Sequence, residues 1–348
     1  MTAPRIWLLA GPRPGELAQQ RRLAQALGEA WEEKPVFEPG SAARPSFGWR
    51  PQAAPSCGLS APWPELVISF GKTLQAALWI KHASGGRVRI VHLGRPRGIA
   101  PGQLDLIVPM PQDAVPDAPN VLRLHLPLNL PPRLADEVLT AARQRLEKLP
   151  RPWTALIVGG VTRHYHLDTA ALVALVNELE PRLTKTGGSL LVSTSPRTPA
   201  GWIAPLRAAL ISSSALYELS EYGAAADRNA YPEYLALADE FVLTGDTASM
   251  IADCWRSGRP VSVLPLRPSL RLRLRRLVRG LLPASLVVAL VRRGAWASAV
   301  DLDRWIDTLA QQGIVGIFGE SVPRVSWSAQ ADDDLQRVVS RVQALLPP

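Results

Sequence analysis

Three segments of the chain combine hydroxyls, glycines and arginines in the pattern an anion needs. The first is 241–250, Phe-Val-Leu-Thr-Gly-Asp-Thr-Ala-Ser-Met. Its apolar start reads as a buried strand that Gly245 breaks. Thr244, Asp246, Thr247, Ala248, Ser249 and Met250 then lead into a helix that stops at Gly258, and 260–264 begins another strand. A strand that turns into a capped helix points backbone N–H groups and the positive helix end out of the sheet edge, which suits phosphate. The bland alternative is an ordinary turn in which Asp246 and Thr247 only cap the helix. The second segment is the run 153–158, ending in Gly159 and Gly160 and followed by Thr162, Arg163, His164 and Tyr165. The third is the strand 189–193, ending in Thr194, Ser195, Pro196, Arg197, Thr198 and Pro199. One such loop says little. Three at the ends of successive strands, two with an arginine, point to a nucleotide-type ligand.

The elements that must position these loops alternate along the chain. Strands are expected at 6–10, 66–70, 89–93, 104–108 and 121–124, with helices at 15–31 and 72–82. The Pro-, Ala-, Ser- and Gly-rich stretch 40–64 reads as a loop. A charged helix over 131–149 runs into Pro150-Arg151-Pro152, a plausible linker, and the alternation then resumes. Alternation of this kind implies parallel sheet with helical crossovers, so two successive open α/β domains are expected, with a cleft between them. Further on come a helix at 302–312, a short strand at 315–318 and an amphipathic helix at 332–346. Asp301 and Asp303, and the run Asp332-Asp333-Asp334, read as helix-start acids that complement the dipole rather than as metal ligands.

Composition narrows the classes. The chain has 348 residues, enough for two domains, and carries a net charge of +9. Between 254 and 300 there are ten arginines and no acid, and eight of the ten lie in Arg267–Arg293. With leucines interleaved, that stretch suits an anionic membrane surface or a phosphorylated glycolipid; the alternative is a solvated helix packed on its domain. Cys57 and Cys254 are far apart, and no metal site or disulfide framework is indicated. The apolar stretch 280–291 is too short to span a bilayer. A cytoplasmic protein is expected, with peripheral attachment to the inner membrane as the option the arginines open. Without an aromatic–basic platform or recognition helix, nucleic acid is not an expected partner. Dehydrogenase-type epimerases are disfavoured, because 11–15 carries two prolines in place of a dinucleotide loop and no tyrosine has lysine four positions on.

These residues resemble the mitochondrial fission "elongated mitochondria" family, in its bacterial branch. The resemblance rests on Gly159, Gly160 and Tyr165; on Thr194, Ser195, Arg197, Thr198 and Pro199; on Asn229, Tyr231, Ala238 and Asp239; and on Thr244, Asp246, Ser249 and Met250, with Thr247 in place of a serine. The first half fits more loosely, through Gly15, Gln19, Ser69, Thr73, Pro96, Arg97, Asp105, Asp113, Asn120 and Asn129. The match covers roughly 5–266. Two departures stand out: the first loop, 10–15, lacks the family's Asp, and Asp253 replaces a Glu.

The resemblance implies a fold similar to GT-B glycosyltransferases, with two Rossmann-like domains facing a cleft. The expected domains are 1–149 on the acceptor side, 150–328 on the nucleotide-sugar side, and a helix in 329–348 that packs back on the first. It implies metal-independent transfer of a sugar from a nucleotide-diphosphate sugar, a substrate rather than a tightly bound cofactor, to a cell-envelope acceptor at the cytoplasmic membrane face. Donor contacts are expected from Gly159, Gly160, Arg163, Tyr165, Thr194, Ser195, Arg197, Thr198, Asn229, Tyr231, Thr244, Asp246, Thr247, Ala248, Ser249 and Met250. Arg13, Gly15, Gln19, Thr73 and Arg97 fall on the acceptor or cleft side. Glu16, at the start of helix one, is the candidate base for the acceptor hydroxyl, with His92 and His125 behind it. The alternative is a scaffold that keeps the fold without catalysis, which the missing first-loop Asp favours.

Overall fold

The computed structural model describes residues 5–36, 59–223, 229–320 and 333–346. Cys57, Asp332 and most of the expected loop 40–64 lie outside the described residues. The chain divides into two compact units. One comprises Met1–Asn129, Val278–Asp301 and Ser328–Pro348, the other Leu130–Leu277 and Leu302–Trp327.

The first unit begins with β1 (Ile6–Ala10), α1 (Pro14–Leu27), β2 (Trp31–Pro35), β3 (Leu66–Phe70), α2 (Leu74–Ala83), β4 (Arg89–Leu93), β5 (Leu106–Val108) and the short β6 (Asp113–Ala114). The strands form a parallel sheet in the order β2-β1-β3-β4-β5, with Ile6 opposite Leu66 and Val67 opposite Ile90. Alternation along each strand builds two cores. Ile6, Leu8, Leu66 and Ile68 pack on one face with Leu23 of α1, and Trp7, Leu9 and Val67 pack on the other with Leu74, Ala77 and Ile80 of α2. Both faces are covered, which is why the strands read as continuous apolar runs.

The second unit contains α3 (Asp136–Leu146), β7 (Trp153–Ile157), β8 (Tyr165–His166), α4 (Thr169–Thr186), β9 (Ser189–Ser193), α5 (Ile203–Ser212), β10 (Tyr217–Ser220), α6 (Tyr231–Leu237), β11 (Glu240–Thr244), α7 (Ala248–Arg256), β12 (Val261–Leu264), β13 (Arg267–Pro268) and most of α8 (Leu270–Gly280). The chain then gives α9 (Ala284–Arg292) and β14 (Ala299–Val300) to the first unit, α10 (Leu302–Gln311) and β15 (Gly316–Ile317) to the second, and α11 (Asp333–Gln343) to the first. The second sheet is parallel, in the order β10-β9-β7-β11-β12-β15. Numbered within that sheet, this is 3-2-1-4-5-6, the doubly wound Rossmann order. The expected α/β class with two Rossmann-like domains therefore stands on strand order.

Several boundaries differ from those the pattern predicts. Gly28 adopts a left-handed φ of 72° and ends α1 at Leu27, so Trp31 starts β2 instead of finishing the helix. Only Val121, in a single bridge to Ile107, represents the strand expected at 121–124. The helix expected over 131–149 is α3, and it belongs to the second unit rather than the first. Its charges are not merely solvated: Arg145 binds the Glu218 carboxylate of β10 at 3.1 Å and also pairs with Glu233 of α6. In the first unit α11 packs on α1, with Val338, Val339 and Val342 in the core. Asp334, expected to serve the helix dipole, is buried and accepts hydrogen bonds from the backbone N–H groups of His125 (2.6 Å) and Leu126 (3.2 Å). It also pairs with Arg337 at 2.9 Å, so it anchors α11 to the 125–126 segment.

Candidate functional site

In the second unit the strand order reverses between β7 and β11, and ligands of open α/β sheets collect outside that switch point. The loops after β7, β9 and β11 all arrive there. The Asp246 carboxylate, after β11, is buried at their centre. It accepts from the Gly160 N–H at 2.9 Å and the Thr244 hydroxyl at 2.6 Å, and it pairs with the Arg197 guanidinium at 2.8 Å. Thr244 in turn accepts from the Gly159 N–H at 2.8 Å. The two glycines are required by close approach. A Cβ on Gly159 would lie 2.0 Å from the Asp246 carboxylate, and one on Gly160 would lie 1.9 Å from the Arg197 carbonyl oxygen. Thr198 donates to the Gly159 carbonyl at 2.5 Å and accepts from the Ser195 N–H at 2.9 Å, while Thr194 accepts from the Tyr222 N–H at 2.8 Å.

The structure thus brings Gly159, Gly160, Thr194, Ser195, Arg197, Thr198, Thr244 and Asp246 together, and it makes them partners of one another. The glycine amides and most of these hydroxyls knit the three loops. Asp246 does not cap α7. Thr247 does, accepting from the Met250 N–H at 3.4 Å. What this frame presents outward is the start of α7 at Ala248 and Ser249, with Ser249 exposed, together with the partly exposed Arg197 and the exposed Arg163. The first N–H groups of a helix lack intrahelical acceptors and carry its positive end, so they suit an anion.

Two expected donor contacts are used elsewhere. The Tyr165 hydroxyl donates to Asp303 at 2.8 Å and accepts from the Leu302 N–H at 2.9 Å, fixing the start of α10. Burial and the neighbouring carboxylate push its pKa up to about 12. For Asp303, burial works upward, but hydrogen bonds from Arg276 and Tyr165 outweigh it and bring the carboxyl down to about 2. The Tyr231 hydroxyl donates to Asp253 at 3.0 Å, and burial beside that carboxylate holds the phenol well above its usual range. Asn229 accepts from the Tyr231 N–H at 3.2 Å.

The first unit has its switch point between β1 and β3. Glu16, in the first turn of α1, lies there against Gly71, where a Cβ would be 3.3 Å from a Glu16 oxygen. Arg13 binds Glu16 at 2.9 Å. Burial raises the Glu16 pKa against the opposing fields of Arg13, Arg97 and Lys72. Arg97 is exposed, as is Gly15. Gln19 and Thr73 are buried supports: Gln19 accepts from the Leu128 N–H at 3.1 Å, and Thr73 closes the turn after β3 on the Phe70 backbone at 2.9 and 3.2 Å.

Asp113, absent from the expected site residues and carried only by the family pattern, belongs to this edge. Burial pushes its carboxyl up to about 6, although Arg95 lies 3.7 Å away and Arg97 also opposes the shift. His92 is buried and its Nδ1 lies 2.9 Å from the Ser69 hydroxyl; burial pulls its pKa down to about 4, so it is neutral at pH 7. Glu16 and Asp113 thus both carry raised pKa values, as working carboxylates tend to. Local sequence holds no sign of Asp113, because its burial depends on β14 pairing with β6 from far along the chain, Val300 opposite Asp113. His125 is half exposed and bonds Asp334 at 3.1 Å. Among the described residues no group of three or more His, Cys, Asp or Glu is placed to hold a metal ion.

Residues 14–305 match the mitochondrial fission ELM1 family. No curated protein matches the chain significantly. Solved structures are similar in chain path at low identity. An S. aureus MnaA–UDP complex is 10% identical with a TM-score of 0.48, over 91% of this chain and 100% of that one. SsfS6, a glycosyltransferase from Streptomyces sp. SF2575, is 12% identical with a TM-score of 0.42, over 99% and 97%. A UDP-GlcNAc 2-epimerase from Methanocaldococcus jannaschii is 10% identical with a TM-score of 0.45, over 88% and 99%.

Proposed function

This chain belongs to the mitochondrial fission ELM1 family, and from that premise and the chemistry of its two sheet edges we propose a GT-B-type glycosyltransferase. It moves a sugar from a nucleotide-diphosphate sugar to a cell-envelope glycolipid at the cytoplasmic membrane face. The observation that carries the reading is the start of α7 at the switch point of a 3-2-1-4-5-6 sheet, with Arg197 and Arg163 on the neighbouring loops.

The leaving group of sugar transfer is a diphosphate, and its growing charge is stabilised by donors held in place before reaction. The N–H groups of Ala248 and Ser249 and the guanidinium groups of Arg197 and Arg163 have that chemistry. Asp246 acts through Arg197 and Gly160, as a positioning residue. On the acceptor side Glu16 takes the proton of the attacking hydroxyl. Its raised pKa brings it nearer the working pH, where a base is most effective. Arg13, Lys72 and Arg97 favour an acceptor with negative charge. Asn229 and Tyr231 remain candidate supports of the nucleotide base, through backbone rather than the occupied Tyr231 hydroxyl.

A second reading has its own observation. The glycine amides and hydroxyls that look like a phosphate cradle are satisfied internally, as they would be in a scaffold that retains the fold without turnover. Release of nucleoside diphosphate from a panel of sugar nucleotides, with and without membrane glycolipids, separates the readings. Acceptor-dependent release that Glu16→Gln abolishes is the expected result. Binding without release favours the scaffold, and conversion of the sugar nucleotide without any acceptor contradicts transfer.

A further inference from the structure

We propose that α8 is a docking helix for an anionic phospholipid surface, lying along the bilayer with its leucines in the acyl boundary. The helix has two opposed faces. Leu272, 5% exposed, Arg276 and Arg279 recur at helical spacing on the inward side, where Arg276 pairs with Asp303 at 2.5 Å and Arg279 lies over the Trp296 ring. Half a turn away run Leu270, Leu274 and Leu277, continued just past the helix end by Leu281. They are 79%, 59%, 61% and 75% exposed. Val278, beside them, is also exposed.

Large aliphatic side chains exposed singly are ordinary, but a contiguous row on one helix face marks an interaction site. Charge selects its occupant. Arg271 and Arg273 flank the row on its two sides and Arg275 lies further round the helix, all exposed and none in an ion pair among the described residues. The sequence offers no acid from 254 to 300. Arginines at that position extend their guanidinium groups to lipid phosphates while the leucines sit below them. A protein partner would have to bring a matching acidic rim, whereas an anionic leaflet supplies one everywhere. No helix among the described residues is long and apolar enough to cross a membrane, so the contact is peripheral.

The surface is independent of sugar transfer, and its test needs no turnover. The full chain is co-floated with vesicles of phosphatidylcholine alone and with vesicles holding about one-third phosphatidylglycerol, whose surface attracts each arginine near it. Binding to the anionic vesicles alone, falling with added salt, is expected. Arg271→Gln/Arg273→Gln/Arg275→Gln should weaken it by on the order of 100-fold. Leu270→Ser/Leu274→Ser/Leu277→Ser should weaken it by at least as much, again on the order of 100-fold. Because these leucines are exposed, the melting temperature of the variant should hold, which circular dichroism verifies. Equal binding to both vesicles, or to neither, overturns the proposal. A dimer that the leucine variant dissociates, with no vesicle binding, assigns the face to a second copy and overturns it equally.

Discussion

The two sheet edges use their carboxylates in opposite ways. At the edge of the second sheet Asp246 is buried with a backbone donor, a hydroxyl and an arginine, and the glycines around it leave no room for one more carbon. At the edge of the first sheet Asp113 is buried and Glu16 half-buried, and both are under-compensated: burial raises both, to about 6 for Asp113, despite nearby arginines. The second edge is a hydrogen-bonded frame behind a helix terminus; the first holds carboxylates that burial pushes toward the neutral form. The conspicuous motif carboxylate and the carboxylates with raised pKa values are therefore different residues in this chain.

The contrast breaks most readily at Gly160. Gly160→Ala places a methyl 1.9 Å from the Arg197 carbonyl, and a loss of about 3 kcal/mol or more in urea unfolding is expected. A loss under about 0.5 kcal/mol, the range of ordinary surface changes, would show the frame to be loose. Next comes Asp246→Ala, which strands the Gly160 N–H and the Thr244 hydroxyl; about 2–3 kcal/mol is expected, with Asp246→Asn recovering part of it. The third test uses acid. Asp303, held at about 2 by Arg276 and Tyr165 against the effect of burial, lies below an unfolded carboxyl near ~3.9. Its contribution is full above about pH 4 and disappears as the pH falls through about 2. Arg276→Gln should cost about 1–2 kcal/mol at neutral pH and little at pH 2, read from unfolding at both. Smallest in stability is Glu16→Gln, expected within about 0.5 kcal/mol because a neutral isostere relieves an unfavourable buried charge. Its effect belongs to turnover. The wild-type rate should rise with pH through a value above the ordinary ~4.3 of glutamate, and that limb should vanish in the variant.

Much of the frame was legible because it depends on local pattern. The apolar runs expected at 66–70, 89–93 and 189–193 are strands, the run 153–158 is a strand over 153–157, and Asp168 caps α4, accepting from the Ala171 N–H at 2.8 Å. β2 escaped notice because Trp-Glu-Glu-Lys-Pro has no strand pattern; it is an edge strand, supported by pairing with β1. Long-range partners were the harder part. Nothing local to Asp334 announces that it bonds the backbone at 125–126, nor does Tyr165 reveal that its hydroxyl faces Asp303. The family pattern flagged Asp105 and Asn120 beside Asp113, yet these two are structural. Asp105 pairs with Lys81 at 2.6 Å, and the Asn120 amide donates to the Pro101 and Leu104 carbonyls. Spacing located the loops; which of their residues bond one another follows from contacts between distant segments.

The most direct test of the central claim is calorimetric titration of the full chain with UDP, GDP, ADP and CMP, in wild type and Ser249→Asp. An acid in the first turn of α7 favours the helix dipole, so the fold is retained, while the added charge repels a diphosphate. The account predicts that one nucleoside diphosphate binds and that the variant weakens it by at least about tenfold. Binding unchanged in the variant, or no binding of any nucleotide, contradicts a donor site at the start of α7.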